Sequence, residues 1–220
     1  RHEVFHTSFD MAVFVQAVWN TTKGDFLYSS IKGGICLLAD HFSPLLAVLA
    51  VPYMLWPDPR CLLLLQAAAL ASSVFAIFAI AKHHLKSEAF AFLFVIAFVL
   101  YLPARNAVRF DFHPELLAIP MLLWTYFCLL KKRRGLASLL LLLGLAAKEN
   151  MALVIFGLAF YAFFFLHARR WGLFWMLFSL GYFFLVTRIL IQRLFGQEYF
   201  YLSGNYSAWV KYGWEALAAH

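Results

Sequence analysis

The sequence predicts an all-α, polytopic transmembrane protein, and three observations carry that expectation. Hydrophobic residues make up 64% of the chain and charged ones only 13%, a balance too apolar for a water-soluble core of 220 residues. The apolar residues fall into runs long enough to cross hydrocarbon, given that about 20 helical residues span a ~30 Å layer. The cations behind the net charge of +7 sit in short clusters between those runs, the arrangement that fixes the orientation of polytopic proteins. Membrane lipid is therefore an expected partner and nucleic acid is not. Cys36, Cys61 and Cys128 are odd in number and lack metal-ligand spacing, which argues against a disulfide framework or a cysteine metal site.

Residues 1–60 read as an outer loop with interfacial helices. In "TSFDMAVFVQAVWNTTKG" an amphipathic helix opens at Ser8 or Asp10, either of which suits its cap, and ends near Gly24. Phe14, Val15, Val18 and Trp19 form its expected apolar face. "HFSPLLAVLAVPYMLWPDP", residues 41–59, is interrupted or bounded by Pro44, Pro52 and Pro57. Its apolar part of about 14 residues reaches only ~21 Å, so an interfacial or re-entrant helix is expected there. Tyr53 and Trp56 suit an interfacial belt.

Six crossings follow, at about 61–81, 88–103, 114–130, 135–147, 151–166 and 172–191, two of them short. They form a transmembrane domain over 61–191, and 192–220 reads as an aromatic outer loop. The positive-inside rule places Lys82, Lys86, Lys131, Lys132, Arg133, Arg134, Arg169 and Arg170 in the cytoplasm. Of the acidic residues only Glu88 then shares that side. Because the chain opens on Arg1 without an initiator Met, it is expected to be part of a longer protein, with at least one span before it and further spans after it.

Four polar groups stand out against this background. Asp10 lies in the first outer loop. Asp40 and His41 precede the interfacial segment, either as a turn and cap or as a carboxylate–imidazole pair. In "RFDFHPELLAIP", residues 109–120, Pro114 fits a helix start and pushes His113 toward an extended conformation. Asp111 and His113 then project to one side, and Glu115 turns back toward them from the helix N-terminus. A helix start alone explains Glu115. It does not explain the whole D-x-H-x-E set with Arg105 and Arg109 just before it. Lys148 and Glu149 interrupt otherwise continuous apolar sequence, and a 135–147 crossing supplies only ~20 Å of helix, so this pair is expected in a recess below the outer headgroups. A solvated hairpin turn, or a buried pair serving only packing, are the structural alternatives.

"FD" with "QAVWNT", then "DHFSP", "FDFHPELLAIP" and "KEN", in this order over nearly the whole chain, resemble a family of prokaryotic polytopic proteins described only as predicted membrane proteins of unknown function. That family is distantly similar to the GT-C glycosyltransferases, which take a sugar from a polyprenyl-phosphate carrier at the outer face. The resemblance implies a GT-C-like architecture in the prokaryotic cytoplasmic membrane, with the site facing the periplasm or exterior. It implies a first-loop catalytic acid, Asp10 or else Asp40, and a second functional acid at Asp111. In an inverting transfer a carboxylate, Asp10 first, takes the acceptor's proton. Glu149 is a further candidate catalytic acid. Lys148, Arg105 and Arg109, with Glu115 among the substrate-binding groups, would meet the carrier phosphate. Asp40, His41 and His113, with Glu115, are candidate ligands for one divalent cation, Mg or Mn. A transporter or flippase is the alternative use of the same residues, favoured by an internal repeat with matching broken helices, of which the sequence shows no convincing example.

Overall fold

The computed structural model describes residues 9–194 and Gly196, and the chain is all-α apart from one minimal hairpin. The Ser8 cap and the aromatic segment beyond Gly196 lie outside the described residues.

Helix α1, Phe9–Thr22, carries Asp10 in its first turn, where a carboxylate complements the helix dipole. Its buried face is Met11, Val13, Phe14, Ala17, Val18 and Asn20. Trp19, expected on that face, is 46% exposed, with the Lys23 ammonium 5.8 Å from its ring centroid. The strands β1, Tyr28–Ser29, and β2, Ile35–Cys36, pair antiparallel. A 3₁₀ turn over Leu37–Ala39 then leads to α2, Leu45–Leu55, which packs on α1. At 11 residues, with Pro52 inside it, α2 is about 17 Å long, well short of a bilayer.

Six apolar stretches follow. They are α3, Pro59–Leu85; α4, Glu88–Leu100, continued by α5, Leu102–Arg109; α6, Glu115–Leu130; α7, Arg134–Leu145; α8, Met151–Phe165; and α9, Arg169–Phe184, extended by a π-helical segment over Leu185–Leu194. By length and composition, α3 and the continuous Arg169–Arg193 stretch suffice to cross a membrane, and α4 with α5 suffices only as a pair bent by 47°. The remaining three are shorter: α6, α7 and α8 have 16, 12 and 15 residues, about 24, 18 and 23 Å. The loop expected after residue 103 is instead the helix α5.

Side-chain contacts fix the direction of each helix. The start of α3 meets the segment before α6 through Gln66 and His113, whereas its end meets the end of α6 through His84 and Tyr126, so the two run parallel. Trp171 and Trp175 of α9 both donate to Ser138 Oγ near the start of α7, at 2.9 and 3.1 Å, and Tyr182 donates to Leu145 O at the end of α7. One end of the bundle therefore gathers the three basic turns, and the other gathers α1, α2, the 110–114 segment and the 146–150 turn.

Small residues draw the α7–α9 half together. Ala152, Ile155, Ala159 and Ala162 form a stripe at helical spacing on α8 and are fully buried, while Phe160, Phe164 and Phe165 of the same helix face outward. Gly172 of α9 sits so close to that stripe that a Cβ would lie 2.8 Å from Ala159 O and 2.8 Å from Phe163 Cβ. Trp171 of α9 packs into the same half and is only 9% exposed.

Candidate functional site

The end of the bundle opposite the basic turns holds the polar residues that the sequence marks, and it is built from the short α7–α8 hairpin upward. Because α7 ends at Leu145, the turn 146–150 lies deep enough for the loop before α2 to fold over it. The Leu45 amide at the start of α2 donates to Ala146 O just past the end of α7, at 2.8 Å, so an unsatisfied donor at one helix start meets an unsatisfied acceptor at another helix end.

Glu149 is the buried centre of this junction, with its side chain 1% exposed. Its Oε1 is 3.1 Å from His41 Nδ1, and its Oε2 accepts from the Phe42 amide at 2.8 Å. An ionised carboxylate can only accept, so His41 presents Nδ1–H to it. Phe42 in turn packs edge-on against Tyr182, at 6.4 Å between centroids. Asp40, beside this pair, lies 2.7 Å from Lys32 Nζ across the hairpin loop.

Lys148 and Glu149 take hydrogen-bond partners on different segments, which departs from the structural alternative of a buried pair serving only packing. Adjacent residues in the turn diverge, and Lys148 Nζ donates to Glu115 Oε1 at 2.5 Å. Glu115 therefore leans toward the α7–α8 turn and not back toward Asp111. The pair is mostly enclosed, with side-chain exposures of 12% and 21%.

His113 is positioned by a residue that the sequence reading passed over. Gln66, fully buried on α3, accepts from the His113 amide at 2.6 Å and directs its amide nitrogen toward the carbonyls of Asp111 and Ala107, at 3.4 and 3.5 Å. Its signal was available: it is the lone amide in the run "CLLLLQAAAL". His113 Nδ1 donates to the Asp111 carbonyl at 2.9 Å, which leaves Nε2 facing Asp10 Oδ2 at 3.8 Å. Phe14 and Phe110 pack against the His113 ring. The Asp111–His113 contact thus runs through the Asp111 main chain, and the Asp111 side chain is half-buried.

Three contacts, Asp10 to His113, Glu115 to Lys148 and Glu149 to His41, are strung into one row by the chain itself, through Pro114 between His113 and Glu115 and through the bond between Lys148 and Glu149. Asp10 is the open end, with its side chain 52% exposed. Arg105 and Arg109, four apart on α5, are both exposed on one side of that short helix. Arg188, at the other margin, is exposed as well. Three buried oxygens along the row lack a hydrogen-bond partner among the described residues: Ser43 Oγ, Glu115 Oε2 and Asn150 Oδ1.

Among the described residues no three His, Cys, Asp or Glu side chains gather as a ligand set; Asp40 is engaged by Lys32, His41 by Glu149, and His113 turns toward Asp10.

No curated protein matches the chain. No solved structure matches it either. A family model described as "Predicted membrane protein (DUF2079)" matches residues 1–219. The motifs on which the sequence resembles such a family lie in the row and its supports, and with a match over nearly its whole length the chain belongs to this family of predicted membrane proteins.

Proposed function

We propose that this membrane protein is a glycosyltransferase that moves a sugar from a polyprenyl-phosphate carrier to an acceptor hydroxyl at the non-cytoplasmic face. The observation that carries this reading is the row from Asp10 to His41 at the end of the bundle where α7 and α8 fall short of the bilayer thickness. A carrier of this class has its phosphate at headgroup depth and its chain in hydrocarbon, so a polar recess beside apolar helices matches both halves.

Asp10 is the general base in this mechanism, because it is the exposed carboxylate of the row and has His113 Nε2 beside it. The acceptor oxygen attacks the anomeric carbon, its proton passes to Asp10, and the bond from that carbon to the phosphate oxygen breaks with inversion. Arg105 and Arg109 neutralise the departing lipid phosphate. Lys148, held by Glu115, adds a further donor to the phosphate side of the recess. Glu149 is too enclosed to touch substrate and acts as a positioning residue that fixes His41 and Phe42.

Incubating the purified full-length protein with polyprenyl-phosphate sugars tests the reading. Asp10→Asn should lower donor turnover by about 10²–10⁴-fold, the usual share of a general base. Absence of turnover by the unaltered protein across carriers and acceptors would remove the enzyme reading. The bend between α4 and α5 favours a transporter or flippase as the second reading, since a broken helix beside a polar site is a transport feature. Carrier-lipid flipping in proteoliposomes, unaffected by Asp10→Asn, would select it.

A further inference from the structure

The opposite end of the bundle carries a second site, independent of the one above. Helix α6 closes in a Schellman turn: Lys132 takes φ +59°, its amide donates to Leu129 O at 3.0 Å, and the Arg133 amide donates to Cys128 O at 2.8 Å. This turn fixes Lys131 and Arg133 on the rim of a cavity of about 330 Å³. Trp124, Phe127, Cys128 and Leu136 form its walls. Lys131 is oriented from both sides, with Nζ 5.5 Å from the Phe127 ring centroid and 3.3 Å from His83 Nδ1.

Among the described residues no carboxylate lines this cavity. The nearby basic turns hold Lys82, Lys86, Lys132, Arg134, Arg169 and Arg170, and the acid that accompanies them, Glu88, is engaged by Lys82 at 2.5 Å. A cationic rim above aromatic and aliphatic walls, on a protein of the membrane, is complementary to an amphiphile with an anionic head. We propose that this groove binds an anionic membrane glycerophospholipid, with its phosphate between Lys131 and Arg133 and the start of an acyl chain along Trp124, Phe127 and Leu136.

The test uses full-length protein in nanodiscs of phosphatidylcholine doped with a phosphatidylglycerol probe that bears a diazirine on its acyl chain. After illumination, adducts should map to Trp124, Phe127 or Leu136. Unlabelled phosphatidylglycerol should compete, and extra phosphatidylcholine should not. Lys131→Gln combined with Arg133→Gln should reduce these adducts at least about tenfold, as expected for two cations near a lipid phosphate. Arg169→Gln combined with Arg170→Gln, at another basic turn of the same end, should leave them within about twofold. All four side chains are exposed, so neither pair of changes disturbs packing. Equal loss in both double variants would show a diffuse surface potential and overturn the site. Equal labelling by a phosphatidylcholine probe, or adducts spread over exposed α4, would overturn it too.

Discussion

Truncating Glu149 should destabilise the protein far more than its position in a loop suggests. The carboxylate is 1% exposed and joins two segments 108 residues apart through His41 Nδ1 and the neighbouring Phe42 amide. Glu149→Ala removes both bonds, leaves the Phe42 amide without this acceptor, and opens a cavity. Losing one member of a buried, hydrogen-bonded polar pair typically costs about 3–5 kcal/mol. Glu149→Gln keeps the shape: its oxygen still accepts from Phe42, and its amide group faces a His41 that must switch tautomer. About 1–2 kcal/mol is expected for losing only the charge-assisted part. His41→Ala alone should cost less than Glu149→Ala, because the Phe42 bond survives. The assay is reversible unfolding in mixed micelles of the three single variants and the His41→Ala/Glu149→Ala double variant. A coupling energy of roughly 1–3 kcal/mol between the two sites is expected. Coupling within about 0.5 kcal/mol of zero, the range of independent sites, would refute the argument that Glu149 holds the first loop onto the α7–α8 turn.

Gly172→Ala should lower stability by about 1–3 kcal/mol, the usual range for overpacking, because its Cβ would meet backbone atoms at Ala159 and Phe163. Gly181→Ala on the same helix meets nothing within 4 Å and should be neutral or slightly stabilising in the same unfolding assay. Lys148→Met leaves the Glu115 carboxylate enclosed without its cation and should cost about 1–3 kcal/mol, whereas adding Glu115→Leu should recover most of that loss, since an apolar pair replaces a buried ion pair well. Gln66→Leu, which raises the hydropathy of α3, should nonetheless destabilise by about 1–3 kcal/mol, because the His113 amide loses its acceptor. Faster hydrogen exchange at His113, at unchanged exchange around Ser138, would show that this loss is local.

How far the sequence could be read depended on whether the controlling physics was local. Hydropathy is local, and the apolar stretches from α3 to α9 lie where it places them. Length against bilayer thickness is local too, and it marked the 146–150 turn as too deep for an ordinary loop. Side-chain partnership is not local. Lys148 and Glu149 stand together in the chain, and a pair of opposite charges invites the inference that they neutralise one another. In a tight turn, however, successive side chains leave the backbone in different directions, so each charge must find its partner on whichever segment packs against its side. For Lys148 that segment is the start of α6, and for Glu149 it is the loop before α2. The same limit hid Gln66, whose single amide organises three backbone groups of a distant segment. It also misplaced α5: the polar run after Pro103 reads as a loop by hydropathy, yet Pro103 in the first turn and spaced Val108 and Ala104 permit a short helix bent by 47° from α4. An ionisable residue in a membrane sequence therefore marks where a constraint exists, and topology decides which distant segment it constrains. Here the consequence is mechanical: the carboxylates of Glu115 and Glu149 tie α6 and the first loop to one turn, so a polar ligand that entered beside them would meet three segments already held in register.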